Sequence, residues 1–308
     1  MRPGTKRLAA VDMGSNSFHL LLAEVSMRGF FPKPRIVSRH KYKVRLADGL
    51  DSALRLDKAA VRRAKRSLDN FAEQLKLFQP DACYAVATAA LRKASNCAEV
   101  LPELEQSLGC AIEVISGERE AELIFAGVCN AAQQQGDILV IDIGGASTEL
   151  IAGRPLRPRL LKSLDMGCVI FQNQYFADGK ITTSAFTRAI GQARNQLNPY
   201  TQDYQAIGWQ HVLGASGTFR AVTEIALAQG QVTLSRDWLE QLIDLCVQQG
   251  QVQQLRIPGL RDDRKTILCG GLAILYAILI EFDIHRFGVT NGALREGLLS
   301  ELVAQATA

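Results

Sequence analysis

Two stretches of the chain repeat one pattern. Residues 8–25 read LAAVDMGSNSFHLLLAEV and residues 138–151 read ILVIDIGGASTELI. In each, an apolar run ends in Asp-x-Gly, a short polar turn follows, and a second apolar run resumes. An apolar strand broken by a glycine-bearing turn and continued by another strand predicts a hairpin. Asp12 and Asp142 lie 130 residues apart (142 − 12), the spacing of a duplicated domain rather than of a short-period repeat. Glycine lets the backbone approach a ligand closely, and successive N–H groups in such a turn form an anion-binding nest. Asp142, at its strand end, suits a hydrated Mg²⁺ beside a bound phosphate. One such hairpin alone reads as an ordinary tight turn. The pair predicts two similar domains gripping one anionic ligand.

With 308 residues the chain has room for about two domains, each with its own core. The net charge of +4 does not mark a nucleic-acid binder. No leader peptide is expected, because Asp12 interrupts the first apolar run. The longest uncharged stretch, 267–280, is too short to span a membrane and predicts a buried helix. Seven cysteines, scattered and never in a Cys-x-x-Cys pair, predict reduced thiols in a cytoplasmic protein.

Between the repeats, residues 33–45 carry a basic run, Lys33 to Arg45, either a solvated strand face or a landing surface for a polyanion. Residues 57–78 predict an amphipathic helix capped by Asp57, with Arg62, Arg63, Lys65 and Arg66 on its solvent side. A strand at 83–87 leads into Thr88, which either caps the next helix or, with Arg92 one turn in, presents a hydroxyl and a guanidinium to the ligand. Ser116 opens a further helix whose first turn holds Glu118, Glu120 and Glu122. The helix dipole accounts for acid there, and a glutamate at that place can also deprotonate an attacking water. Beyond the second hairpin, residues 212–218 (VLGASGT) form another strand-to-glycine turn opening a helix. Gly214, Ser216 and Gly217 are candidate phosphate or nucleoside contacts there. Arg264 and Lys265 begin the buried helix and are candidates to face the ligand.

Taken in order, AAVDMGSNSFHL, ATAALRKASN, ISGEREAELIF, VIDIGGASTELI, LGASGTF, PGLRDDRKTI and NGALREG resemble the exopolyphosphatase/guanosine pentaphosphate phosphohydrolase family over nearly the whole chain. The resemblance implies an α/β fold of the actin-like ATPase superfamily. Two RNase H-like domains, 1–124 and 125–308, would flank a cleft, with the helix from about 292 packing back on the first. The implied activity is hydrolysis of the terminal phosphoanhydride of inorganic polyphosphate, with guanosine pentaphosphate hydrolysis in the stringent response as the alternative. Mg²⁺ is the implied cofactor, with K⁺ a candidate activator, and a homodimer is an open assembly. On the family pattern Glu120 is the general base. Arg92 neutralises transition-state charge, and Glu149 orders metal or water. Asp142 holds the metal, with Asp12 assisting. Gly14, Ser15, Asn16, Ser17, Gly144, Gly145, Ser147 and Thr148 cradle phosphates. Phosphoryl transfer relies on placement and charge neutralisation more than on covalent help.

Three departures from the pattern stand out. Ala146 replaces a glycine in the second turn, which strains the loop only if that position is left-handed. Asn291 stands where the family often has an aspartate, and the sequence stops at Ala308, where longer members continue into a helical HD-type extension. Chain-length preference and processivity are the properties the last of these would change. Two other readings compete. A kinase of the same fold needs an acceptor hydroxyl and a nucleoside pocket, and a sensor binds without turnover. Glu120 opening its helix favours water as acceptor, and the retention of Glu120, Asp142 and Glu149 together favours turnover.

Overall fold

The computed structural model describes residues 4–26, 34–132, 134–155 and 157–307; Lys33 of the basic run lies outside them. The chain forms two compact units: residues 1–127 with 292–308, and residues 128–291.

Unit 1 opens with β1 (Thr5–Met13) and β2 (Ser17–Ser26), antiparallel with Asp12 opposite His19, and β3 (Pro34–Lys43) pairs antiparallel outside β2. The helix α1 (Lys58–Phe78) follows. The Asp57 carboxylate accepts the Ala60 N–H at 2.6 Å, and Gln79 turns left-handed to end the helix before Pro80. β4 (Ala82–Ala87) runs parallel to β1, then come α2 (Ala89–Lys93), α3 (Cys97–Leu108), β5 (Glu113–Val114) and α4 (Gly117–Ala132). The sheet order is β3-β2-β1-β4-β5.

Unit 2 repeats the plan. β6 (Ile138–Ile143) pairs antiparallel with β7 (Thr148–Arg154), which pairs with β8 (Arg157–Leu164). Three helices follow, α5 (Cys168–Tyr175), α6 (Thr183–Leu197) and α7 (Thr201–Ile207). β9 (His211–Ala215) then lies parallel beside β6, α8 (Ser216–Ala228), α9 (Arg236–Gln249) and α10 (Asp262–Glu281) follow, and β10 (Gly288–Val289) closes the far edge. The last helix, α11 (Leu294–Thr307), belongs to unit 1. Read from its hairpin edge, the second sheet is β8-β7-β6-β9-β10, the order and strand directions of the first.

The central strands are what the apolar runs demand. β6 is buried along its whole length, and β1 is buried from Leu8 to Val11. α10 is apolar on every side, which suits a helix buried all round rather than an amphipathic one. A side chain on Gly270 would strike the backbone of Cys168 and Gln172, so glycine there lets α5 pass close. No helix among the described residues is long and apolar enough to cross a membrane. The seven cysteines form no disulfide.

Candidate active-site elements in the two units

The two hairpin turns have the same length, joining Met13 to Phe18 and Ile143 to Thr148. Both begin on a glycine that packs on the carbonyl three residues along its turn: a Cβ would stand 3.0 Å from Ser17 O at Gly14 and 3.1 Å from Ser147 O at Gly144. Neither glycine has positive φ, and Ala146 does not either. The methyl at 146 is fully buried and carries no backbone strain, so the departure from glycine leaves the turn intact.

Each turn has its carbonyls pinned on one side. In unit 1, Asn16 O accepts from Val44 N (3.2 Å) and Arg45 N (2.9 Å), and Ser15 O accepts from Ala47 N (2.9 Å). In unit 2, Gly144 O accepts from Cys168 N (2.9 Å), and Gly145 O from Val169 N (3.0 Å) and Ile170 N (3.3 Å). In a trans peptide the C=O of one residue and the N–H of the next point oppositely, and no peptide bond here is cis. Pinning those carbonyls therefore aims the N–H groups of Asn16 and Ser17, and of Gly145 and Ala146, to the other side. That is the anion-nest geometry read from the sequence.

The hydroxyls divide into two sets. Thr148 Oγ1 donates to Met166 O (2.6 Å) and Ser216 Oγ to Ile143 O (2.9 Å). A hydroxyl has a single proton, so in this arrangement those two brace the loops and leave phosphate contact to the backbone. Ser15 Oγ accepts the Ala90 N–H (3.1 Å) at the start of α2. Thr88, the N-cap residue of that helix, makes no capping bond, so the capping expected of Thr88 is supplied by the hairpin turn instead. Thr88 is buried with its hydroxyl uncommitted to the cap, and Ser17 Oγ is buried without a partner. An orphan buried hydroxyl costs about 1–3 kcal/mol, a cost that a bound anion would remove. Ser147 is buried in the second turn.

Among the three glutamates opening α4, Glu120 is the buried one, 7% exposed, while Glu118 and Glu122 face solvent. Arg92 Nη1 donates to Glu120 Oε2 at 3.0 Å and to Ile115 O at 2.9 Å. The two residues singled out for base and charge neutralisation are thus one ion pair in unit 1. Ser116 Oγ accepts the Arg119 N–H (3.1 Å), fixing the first turn that carries Glu120.

Asp142 and Glu149 are register partners on β6 and β7, 5% and 1% exposed. Directly opposed residues of an antiparallel pair share a face, and like charges there repel. Ser163 Oγ donates to Glu149 Oε1 at 2.8 Å. Two buried oxygen-only carboxylates side by side fit Mg²⁺, which takes one or two carboxylates and completes its shell with water and phosphate. No group of three or more metal-ligating side chains occurs among the described residues, which this mode does not require. In unit 1 the partner of Asp12 is His19, whose Nδ1 accepts from Arg295 Nη1 at 2.8 Å.

Near β9, Gly214 packs under the Phe219 ring, and a Cβ on Gly217 would fall 2.5 Å from Arg264 Nη1. Arg264 therefore lies across Gly217. It makes no ion pair among the described residues, whereas Lys265 pairs with Asp262 at 2.6 Å. Ser216, between the two glycines, sits at φ 69°, a left-handed strain of about 1–2 kcal/mol for a non-glycine residue.

Sequence reading missed three supports. Arg63, expected on the solvent side of α1, donates to Val44 O (2.8 Å) and Arg45 O (3.0 Å), the segment that pins the first turn; Lys65 is half-buried as well. Gly167 has no room for a side chain against the backbone of Gly145 and Ala146. Arg295 meets His19 from 276 residues away. A basic residue within an otherwise regular basic face, or a glycine before a helix, gives no local sign of such roles.

A family model described as the Ppx/GppA phosphatase family matches residues 25–306. The guanosine-5'-triphosphate,3'-diphosphate pyrophosphatase of Aeromonas hydrophila is 44% identical over 298 residues, covering 96% of this chain and 59% of that protein. The chain thus spans about three fifths of the length of such curated relatives. An exopolyphosphatase structure from Cytophaga hutchinsonii aligns with a TM-score of 0.85 at 24% identity, covering 97% of this chain and 98% of that one. A Ppx/GppA family member from Aquifex aeolicus gives 0.79 at 23% identity, with 99% of each chain covered. Together with the repeated sheet order, these likenesses show an α/β fold of two similar mixed-sheet units.

Proposed function

Because this chain belongs to the Ppx/GppA phosphatase family, we propose that it hydrolyses a terminal phosphoanhydride, with guanosine 5'-triphosphate 3'-diphosphate as its substrate. The expectation from sequence put inorganic polyphosphate first. The names of the relatives at 42–44% identity favour the guanosine substrate instead, and polyphosphate becomes the second reading, supported by the likeness to the Cytophaga hutchinsonii structure.

The observation that carries hydrolysis is the buried Glu120 carboxylate paired with the half-buried Arg92. Glu120 takes the proton of the attacking water at its carboxylate, and Arg92 keeps that carboxylate in one orientation. Positioning of this kind is the larger part of catalysis when the transition state needs little covalent help. The N–H groups of the two hairpin turns, fixed before substrate arrives by their pinned carbonyls, the Ser17 hydroxyl and the Arg264 guanidinium hold phosphate oxygens. Asp142 and Glu149 would hold Mg²⁺, which when bound neutralises phosphate charge and polarises the phosphoryl group. Ser163 on β8 keeps Glu149 in one orientation.

Phosphate release is measured with Mg²⁺ on both substrates, for the wild type and for Glu120→Gln. The expected result is faster release from the guanosine compound and a fall in kcat of about 10²–10⁴-fold in the variant. Release that survives the substitution removes Glu120 as the base. Tight binding of both compounds without release, or transfer only to an acceptor alcohol, would replace hydrolysis with the sensor or the kinase reading.

A further inference from the structure

Unlike Arg63, the α1 cations Lys58, Arg62 and Arg66 have no bond to the segment that braces the first hairpin turn. Lys58, Arg62 and Arg66 stand four residues apart and so share one side of the helix, over about 12 Å of its length. Along that side α1 and α3 enclose a groove of about 500 Å³, wholly within unit 1. Leu56, Val61 and Val100 give it an apolar floor, and a small molecule of ordinary size fits such a volume.

The charges lining the groove do not balance. Five cations face two carboxylates, an excess of three (5 − 2). Both carboxylates are already engaged: Arg55 with Glu99 at 2.6 Å, and Lys65 with Glu103 at 3.0 Å. Lys58, Arg62 and Arg66 make no ion pair among the described residues. Like charges at i and i+4 repel on a helix, and a concave wall of low dielectric concentrates their field. A solvated basic face would need neither the concavity nor the apolar floor.

We infer that the groove between α1 and α3 is a second anion site, taking a ligand with consecutive phosphates. A row of three cations asks for charges repeated along a line, and consecutive phosphates supply them one after another. Arginine adds forked donors that match phosphate oxygens. Inorganic polyphosphate and the phosphates of a nucleotide share this chemistry.

Binding is measured by calorimetry and by hydrogen–deuterium exchange on the full chain. The probes are inorganic tripolyphosphate, long-chain polyphosphate and guanosine 5'-diphosphate 3'-diphosphate. The wild type should bind two equivalents of at least one probe, with protection across residues 55–66 and 96–103. The triple variant Lys58→Ala/Arg62→Ala/Arg66→Ala should lose one equivalent, weaken that step at least about tenfold and lose the protection, while saturated phosphate release stays unchanged. The double variant Glu99→Gln/Glu103→Gln, which frees Arg55 and Lys65, should tighten the same step, a gain that misfolding cannot mimic. Tightest binding of the long chain assigns the inorganic source, and tightest binding of the guanosine compound assigns the nucleotide. Absence of protection at 55–66 in the wild type, identical binding in the triple variant, or protection by single-stranded RNA alone would overturn the assignment.

Discussion

The two hairpin turns share strand order, register and length, yet they are braced by different means. The turn of unit 2 rests on a helix end, with three successive N–H groups of α5 closing on Gly144 O and Gly145 O. The turn of unit 1 rests on an irregular segment, 44–47, which is itself held by the Arg63 side chain. A second difference lies beside each aspartate, where Asp142 faces Glu149 while Asp12 faces His19. One backbone plan therefore carries two chemistries. On the proposed reading the carboxylate pair would hold a cation. Beside Asp12 the imidazole is bonded to Arg295 instead.

The sharpest way to break this comparison is to exchange the partners of the aspartates. Glu149→Gln should raise the Mg²⁺ concentration for half-maximal phosphate release by about 10–100-fold, the scale seen when groups around a metal are altered. His19→Gln should leave that concentration within about twofold, because imidazole beside Asp12 contributes no anionic oxygen. Equal shifts in the two variants would show that the metal is not held asymmetrically.

The braces can be cut separately. Gly167→Ala forces a methyl into the backbone of Gly145 and Ala146 and should cost about 1–3 kcal/mol, the range for overpacking. Arg63→Ala removes two charge-assisted bonds and should cost about 1.5–3 kcal/mol. It should also raise KM, since the first turn loses its support. Lysine at 63 should not restore KM, because a single ammonium does not reproduce the fork that reaches both carbonyls. Denaturant melts paired with steady-state kinetics check both. An unchanged KM in Arg63→Ala would mean the segment 44–47 holds without it.

The smallest effect is one of pH. Arg35 beside Glu24 in unit 1, and Lys265 beside Asp262 in unit 2, hold those carboxyls below their ordinary values of 4.5 and 3.8. The unfolded chain takes up these protons first as pH falls. The stabilisation is therefore complete above the ordinary values and disappears as pH drops through the lower, folded ones. Asp262 is exposed and Glu24 half-buried, so solvent and salt screen the effect, most at Asp262. Carbon-detected NMR titration of the two carboxyls should give midpoints below the model-peptide values at low salt, moving back toward them at high salt. Midpoints at the ordinary values would remove both pairs.

Much of the fold was legible because its signals are local. Asp57 caps the helix that follows by accepting its early N–H, as its position before an apolar-periodic run suggests. The site was legible only as a set of residue types. Nothing local separates Glu120 from Glu118 and Glu122, and burial with Arg92 does so only after β4, α2 and α4 have packed. Nothing local says that Thr148 and Ser216 spend their protons on Met166 and Ile143, or that Ser15 rather than Thr88 caps α2.

By itself the sequence determined that two apolar strands would end in Asp-x-Gly turns, 130 residues apart, because hydrophobic period and glycine placement act over a few residues. Only the tertiary structure decided which way those turns face, which hydroxyls stay available, and which aspartate gains a second carboxylate. The hydroxyls depend on partners 18 to 75 residues away, such as Met166 for Thr148 and Ala90 for Ser15, and no local pattern encodes a partner that distant.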